Sequence, residues 1–207
     1  MMPMVEETLV NQEEYTYSHI QAGTMVRTPG MSRFISKRRG DGLYLLVLDT
    51  IDKRIKSAAK MLARYEQSVI TVTASRIYAL TPAKKFAEIT GTHVVEGRVM
   101  PGIFTNPNRK DFIEPEIVLV SDTRNERQAV KEASKINAPV IALCDTDNWI
   151  KFVDLVIPCN NKSRRSIALV YWLLAREFMK EKGLIKSDDE FKYSISDFEA
   201  KVDIKVK

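Results

Sequence analysis

The sequence predicts an α/β protein: a doubly wound, mainly parallel sheet with helices on both faces, flavodoxin-like or Rossmann-like in its layering. Two observations carry this prediction. Short apolar runs rich in β-branched residues recur along the chain, separated by segments with helical spacing. Each run is apolar almost throughout, as in strands buried on both faces, and does not alternate as half-exposed antiparallel strands do. Right-handed crossovers between such strands then put helices on both faces of the sheet.

The elements follow in order. LYLLVLD (43–49) reads as a buried strand. From Ile51 to Tyr65 the spacing turns helical, with Ile51, Ile55, Ala58, Ala59 and Leu62 on one face and Lys53, Arg54, Lys56 and Lys60 mostly elsewhere. SVITVTA (68–74) is the next strand. Thr81-Pro82 has the form of a helix start, threonine as N-cap and proline first in the helix, and Gly91 closes it. EIVLVSD (116–122) is a third strand, and Thr123 and Glu126 have capping-box spacing for a helix reaching about Asn137. PVIALCD (139–145) and VDLVIP (153–158) are further strands, and a long helix runs from about Ser163 to Lys182, stopped by Gly183.

At 207 residues the chain has room for one substantial core, and 44% hydrophobic with 29% charged residues is globular composition. Residues 40–183 are expected to form the α/β domain, behind an N-terminal acidic segment and basic arm (1–39) and ahead of a charged tail (184–207). The acidic start lacks the order of a secretory signal, and the longest apolar run, 167–175, is too short to span a bilayer. A soluble, cytoplasmic protein without a membrane partner is expected. Cys144 and Cys159 are the only cysteines, each after an apolar run, and read as reduced, buried thiols. The net charge of +5 is uneven: both ends are acidic on balance, which leaves +10 on residues 15–183 and points to a polyanionic partner.

Open α/β sheets raise the question of catalysis. Gly40-Asp41-Gly42 precedes its strand and lacks a third glycine, and no GxxxxGK[ST] occurs, so the backbone donors that cradle phosphates have no evident source. Asp145-Thr146-Asp147-Asn148 directly follows a strand, where paired aspartates can hold magnesium. A magnesium-dependent phosphoryl-transfer or nucleotide-binding enzyme using Asp145 and Asp147 is therefore the alternative reading. The preferred one is a chain turn stabilised by side-chain oxygens, because no partner lysine or third acidic cluster is identifiable. No cofactor or metal is expected. His93, beside a helix end, is expected to pack or cap, and His19 lies in the arm.

Three basic segments are more informative. Arg27, Arg33, Lys37, Arg38 and Arg39 fall in a stretch without an acid. GRVMPGIFTNPNRK joins Arg98, Arg109 and Lys110 to Asn106 and Asn108, stiffened by Pro101 and Pro107, with Phe104 either packed or stacking on a base. Asn160, Asn161, Lys162, Arg164 and Arg165 stand at the head of the last helix. Lysine and arginine supply phosphate contacts and asparagine reaches sugars or base edges, so together these segments read as an RNA face.

The same segments carry a resemblance. SHIQAGT (18–24), DGLYLLVLDTIDKRIKSAAKMLARYE (41–66), KKFAEITG (84–91), GRVMPGIFTNPN (97–108), IEPEIVLVSD (113–122), QAVKEA (128–133), PVIALCDTDN (139–148) and VDLVIPCNNKSRRSIALVYWLLARE (153–177) resemble the archaeal small-subunit ribosomal protein S-two family, whose eukaryotic counterpart is the SA protein. They cover most of residues 15–183 in the family's order. The resemblance implies a non-enzymatic ribosomal protein that binds small-subunit rRNA and neighbouring ribosomal proteins near the head–body junction, supports translation, and is not an obligate homo-oligomer. The chain is short where bacterial members carry a coiled-coil hairpin, so no such insertion is expected. It departs from the archaeal pattern in GRVMPGIFTNPN for GRFIPGTLTNP, in Thr123 where proline is frequent, and in Trp149 after the DTDN motif, where a lineage-specific neighbour is one explanation.

Overall fold

A computed structural model describes residues 8–201. Seven strands and six α-helices follow one another along them. The centre is a five-stranded sheet built from β3 (Ile70–Ala74), β4 (His93–Glu96), β5 (Ile117–Val120), β6 (Val140–Cys144) and β7 (Leu155–Pro158). Its order is β4-β3-β5-β6-β7 and every pairing is parallel. β3, β5 and β6 are buried at every residue, which is why their sequences are unbroken apolar or threonine runs.

Helices α2 (Leu48–Leu62), α3 (Ile77–Thr90) and α5 (Arg164–Glu181) pack on one another in a single layer, and α4 (Arg127–Lys135) packs on β5 and β6. In α5 the buried residues run almost without a break from Ser166 to Phe178, because the helix is covered by α2, α3, the sheet and both chain ends. Phe86 of α3 meets Tyr171 and Phe178 of α5 at ring separations of 5.8 and 6.3 Å. The doubly wound fold read from the sequence is thus the fold observed, with no coiled-coil insertion.

Several local expectations are corrected. Residues 43–49 do not join the parallel sheet. β2 (Tyr44–Leu46) pairs antiparallel with β1 (Ile35–Arg38), and α2 already begins at Leu48 with Asp49 in its first turn. A hairpin across the tight turn before Leu43 closes locally, whereas a parallel strand would need a crossover. The third helix starts at Ile77, so Pro82 lies within it and only the bond to the Tyr78 carbonyl is forfeited. Gly91 does close that helix, at φ 72°. Glu126 makes no capping box with Thr123; its side chain turns into the sheet. His93 neither packs nor caps: it is exposed on β4, an edge strand.

The chain ends fold onto the domain. α1 (Gln12–Ser18) buries Tyr15, whose hydroxyl donates to the buried Asp52 at 2.7 Å. Ile20, Met31 and Phe34 of the arm join the common core. In the tail, α6 (Ile195–Phe198) packs on α5 and α3 and buries Phe198, and Phe191 stacks edge-on against Trp172. Arg176, 4% exposed, joins the two ends: it donates to the Leu9 carbonyl at 2.9 Å and reaches Asp188 at 3.2 Å. The expectation of mobile ends therefore does not describe residues 8–14 or 184–201; its remainder lies outside the described residues.

Candidate nucleic-acid interface

A parallel sheet sends every strand's carboxyl end to one edge, and the chain has used that edge for polar loops. The turn after β6 is held from within. Asp145 is 1% exposed; its Oδ1 accepts the Thr146 N–H at 2.6 Å, and its own N–H donates to Asn148 Oδ1 at 3.1 Å. Asn148 Nδ2 donates to Asp122 Oδ1 at 2.6 Å and Thr123 Oγ1 at 2.9 Å, which fastens the turn to the end of β5. Lys162 Nζ lies 2.8 Å from Asp147 and 3.4 Å from Asp145. Burial pushes the Asp145 carboxyl above its usual range, and Lys162 opposes the shift. The partner lysine that sequence spacing did not reveal therefore exists, and it neutralises the two aspartates. Among the described residues no group of three or more His, Cys, Asp or Glu side chains is arranged to hold a metal ion.

The arm crosses over this turn. Gly23 passes so near that a Cβ there would lie 2.4 Å from Thr146 Cγ2, so only glycine fits. The Thr28 N–H donates to the Thr146 carbonyl at 2.9 Å, and Thr28 Oγ1 to the Asn148 carbonyl at 2.8 Å.

In doubly wound sheets, ligands bind where the strand order reverses, here between β3 and β5. That crevice is filled by the chain itself. The Glu126 side chain, 0% exposed, accepts the Ser75 N–H (2.9 Å) and Ser75 Oγ–H (3.1 Å) on Oε1, and the Ser121 N–H (3.0 Å) and Thr73 Oγ1–H (2.5 Å) on Oε2. A carboxylate thus occupies the donor cradle in which related architectures hold a ligand's phosphate. Burial pushes its pKa up to about 7 against the pull of these donors. Beside it, Arg76 closes on the buried Asp122 at 2.7 Å.

The sequence-predicted RNA contacts divide into three states. Arg27, Arg33, Lys37, Arg38, Arg39, Arg98, Asn106, Asn108, Lys110 and Arg165 are exposed. Arg27 and Arg38 stand together, each 5.6 Å from the Tyr44 ring, and Arg33 stacks on Phe34 at 4.8 Å. Arg39 pairs with Asp41 at 2.9 Å across the hairpin turn.

Arg109 and Arg164 are half-buried and paired, with Asp111 (2.7 Å) and Glu199 (2.8 Å) respectively. Arg165 lies 4.1 Å over the Tyr17 ring, so α1 and α5 display one cation jointly. Lys162 is turned onto the aspartates. Asn161 is corrected outright. It is fully buried, its amide donating to the Leu143 carbonyl at 3.1 Å and more distantly to the Ser121 carbonyl, so it ties β5 to β6 and is not presented to a ligand.

The 97–110 loop is anchored through Glu132 of α4, which accepts the N–H groups of Gly102 (2.7 Å) and Phe104 (3.0 Å). Phe104 is 2% exposed, so of its two expected roles it packs. Sequence reasoning passed over Arg124, Arg127, Lys131 and Lys151, exposed cations beside Trp149. The signal was available: Arg127 and Lys131 are one helical turn apart, three residues after Arg124.

Comparison with known proteins agrees with this arrangement. The model of the family described as ribosomal protein S2 matches residues 108–180. A protein of Thermoplasma acidophilum named small ribosomal subunit protein uS2 is 49% identical over 199 residues, covering 96% of this chain and 100% of the relative. Proteins of the same name from Picrophilus torridus and Saccharolobus solfataricus are 47% and 44% identical, covering 96% and 95% of this chain and 100% and 85% of the relatives.

Proposed function

The chain belongs to the ribosomal protein S2 family, and from that membership we propose that it is a structural, non-catalytic constituent of the cytoplasmic small ribosomal subunit. One observation carries the reading: near-half identity along nearly the whole of both chains with proteins named for that subunit. What it contributes is a rigid platform with cations at its rim. Residues 40–183 form the folding unit, and residues 8–39 and 184–201 dock on it.

The partners are small-subunit rRNA and neighbouring ribosomal proteins near the junction of head and body. Arg27, Arg38 and Arg39 on the arm, Arg98, Arg109 and Lys110 on the 97–110 loop, and Arg164 and Arg165 at the head of α5 contact phosphates. Asn106 and Asn108 reach sugars or bases. Such contacts position the protein on RNA without reading sequence. The enzymatic alternative loses its motive, since Lys162 neutralises Asp145 and Asp147 and Glu126 fills the crevice.

Sedimentation tests the proposal. Purified protein added to small subunits reconstituted without it should travel with the particle in stoichiometric amount. A protein that stays at the top of the gradient contradicts it.

A further inference from the structure

In a complete doubly wound sheet each parallel crossover carries a helix. The β6–β7 crossover, residues 145–154, carries none, and the flank of α4 beside it is left open. The result is a cleft of about 460 Å³, in the size range of ligand sites, lined by Arg124, Arg127 and Lys131 on one side and Trp149, Lys151 and Phe152 on the other. Trp149 is 70% exposed and Phe152 53%. No carboxylate lines the cleft; the nearest, Asp147, lies 3.4 Å from Arg124 and is already held by Lys162. Phe152 has φ 63°, a conformation uncommon for a bulky residue, and Lys151 Nζ lies 5.0 Å from its ring.

We propose that this cleft binds an unpaired nucleotide of single-stranded RNA, its base against Trp149 and Phe152 and its phosphates along Arg124, Arg127 and Lys131. The proposal rests on the RNA-binding reading and adds a site outside the basic segments of the arm, the 97–110 loop and the head of α5. Three cations at intervals of about one helical turn form a line leading onto α4, and the aromatic loop runs beside it, as phosphates run beside bases. Stacking on an exposed ring with cations tracking the backbone is how unpaired bases are held. An acidic peptide would satisfy the cations and leave two large rings in water.

The test uses full-length protein and a fluorescently labelled single-stranded RNA of about six nucleotides, within the site sizes of such grooves, read by anisotropy. Trp149→Ala should weaken binding about tenfold, and Trp149→Phe, which keeps a stacking face, by no more than about threefold. Arg127→Ala with Lys131→Ala should lower the salt slope by roughly two units. Duplex RNA of the same sequence and oligoglutamate should compete poorly.

Unchanged affinity in Trp149→Ala, no binding by the wild type, or displacement by oligoglutamate as effective as by RNA overturns the proposal; the last outcome assigns the cleft to an acidic protein segment. Incorporation into small subunits separates this from the broader reading. Wild-type protein that incorporates while Trp149→Ala binds the oligonucleotide normally removes the cleft alone; wild-type protein that fails to incorporate removes the broader reading.

Discussion

Glu126→Gln is the most informative single substitution in the fold. Each Glu126 oxygen accepts one backbone N–H, Oε1 from Ser75 and Oε2 from Ser121. An amide has only one acceptor, so either orientation sets its NH2 against a backbone N–H that has no other partner in the crevice. A buried donor left unpaired costs about 1–3 kcal/mol. The neutral carboxylic acid escapes this conflict: its hydroxyl oxygen still accepts an N–H while its proton goes to Thr73 Oγ1, 2.5 Å away.

Titration adds a second signature. Burial raises the Glu126 pKa from 4.5 to about 7. The folded state therefore holds more protons than the unfolded between about pH 4.5 and 7, and stability falls as pH rises through that window. At about 1.4 kcal/mol per unit, the wild type gives up roughly 3 kcal/mol across it. The glutamine variant does not share that loss. Urea unfolding followed by circular dichroism at pH 5, 6, 7 and 8 should show the variant weaker by about 1–3 kcal/mol at pH 5 and the gap closing by pH 8. Equal stability at pH 5 refutes the donor-conflict argument, and a gap independent of pH refutes the raised pKa.

Other consequences are as direct. Arg176→Ala should cost about 3 kcal/mol, as for breaking a buried pair, and should speed amide exchange in residues 8–18 and 186–198 before the sheet; a uniform change would deny that Arg176 ties both ends. Gly23→Ala should destabilise by roughly 1–3 kcal/mol through overpacking against Thr146 and free the 24–28 segment, seen as a lowered melting temperature; an unchanged one would mean the arm does not cross there. Asp145→Asn with Asp147→Asn should lower stability by roughly 1–3 kcal/mol, because the half-buried Lys162 loses its counter-charges, with no chemistry at stake. Magnesium-dependent hydrolysis by the wild type, abolished by this pair, would restore the enzymatic reading.

The fold was legible where one force dominated. β3, β5, β6 and β7 are buried along nearly all their length, so continuous apolar runs marked them. β4 was not legible, because HVVE is an edge strand with only Val95 buried. The tail hid for a related reason: Phe191 and Phe198 are single apolar anchors among charges, and only the surface of α5 shows what they are for.

At the site, composition located the basic segments but not the direction of each side chain. In Asn160-Asn161-Lys162-Ser163-Arg164-Arg165, Asn161 points into the sheet, Lys162 onto the aspartates, and Arg164 and Arg165 outward to Glu199 and Tyr17. A turn of this tightness has no period to read. Glu126 was misassigned because its spacing from Thr123 satisfies a capping box, while a long-range partner set gives it twice as many donors.

The central claim, that cations on the arm, the 97–110 loop and the head of α5 hold the protein on small-subunit RNA, is tested most directly by incorporation into reconstituted small subunits across a salt series. Paired alanine substitutions at Arg38 and Arg39, at Arg109 and Lys110, and at Arg164 and Arg165 should each weaken incorporation and lower the salt slope by about one unit for every phosphate left without its cation. Lys53→Ala with Lys56→Ala on α2 should leave it unchanged. Loss of incorporation in the α2 variant, with the three basic pairs unaffected, would place the RNA on the opposite side of the molecule and contradict the account.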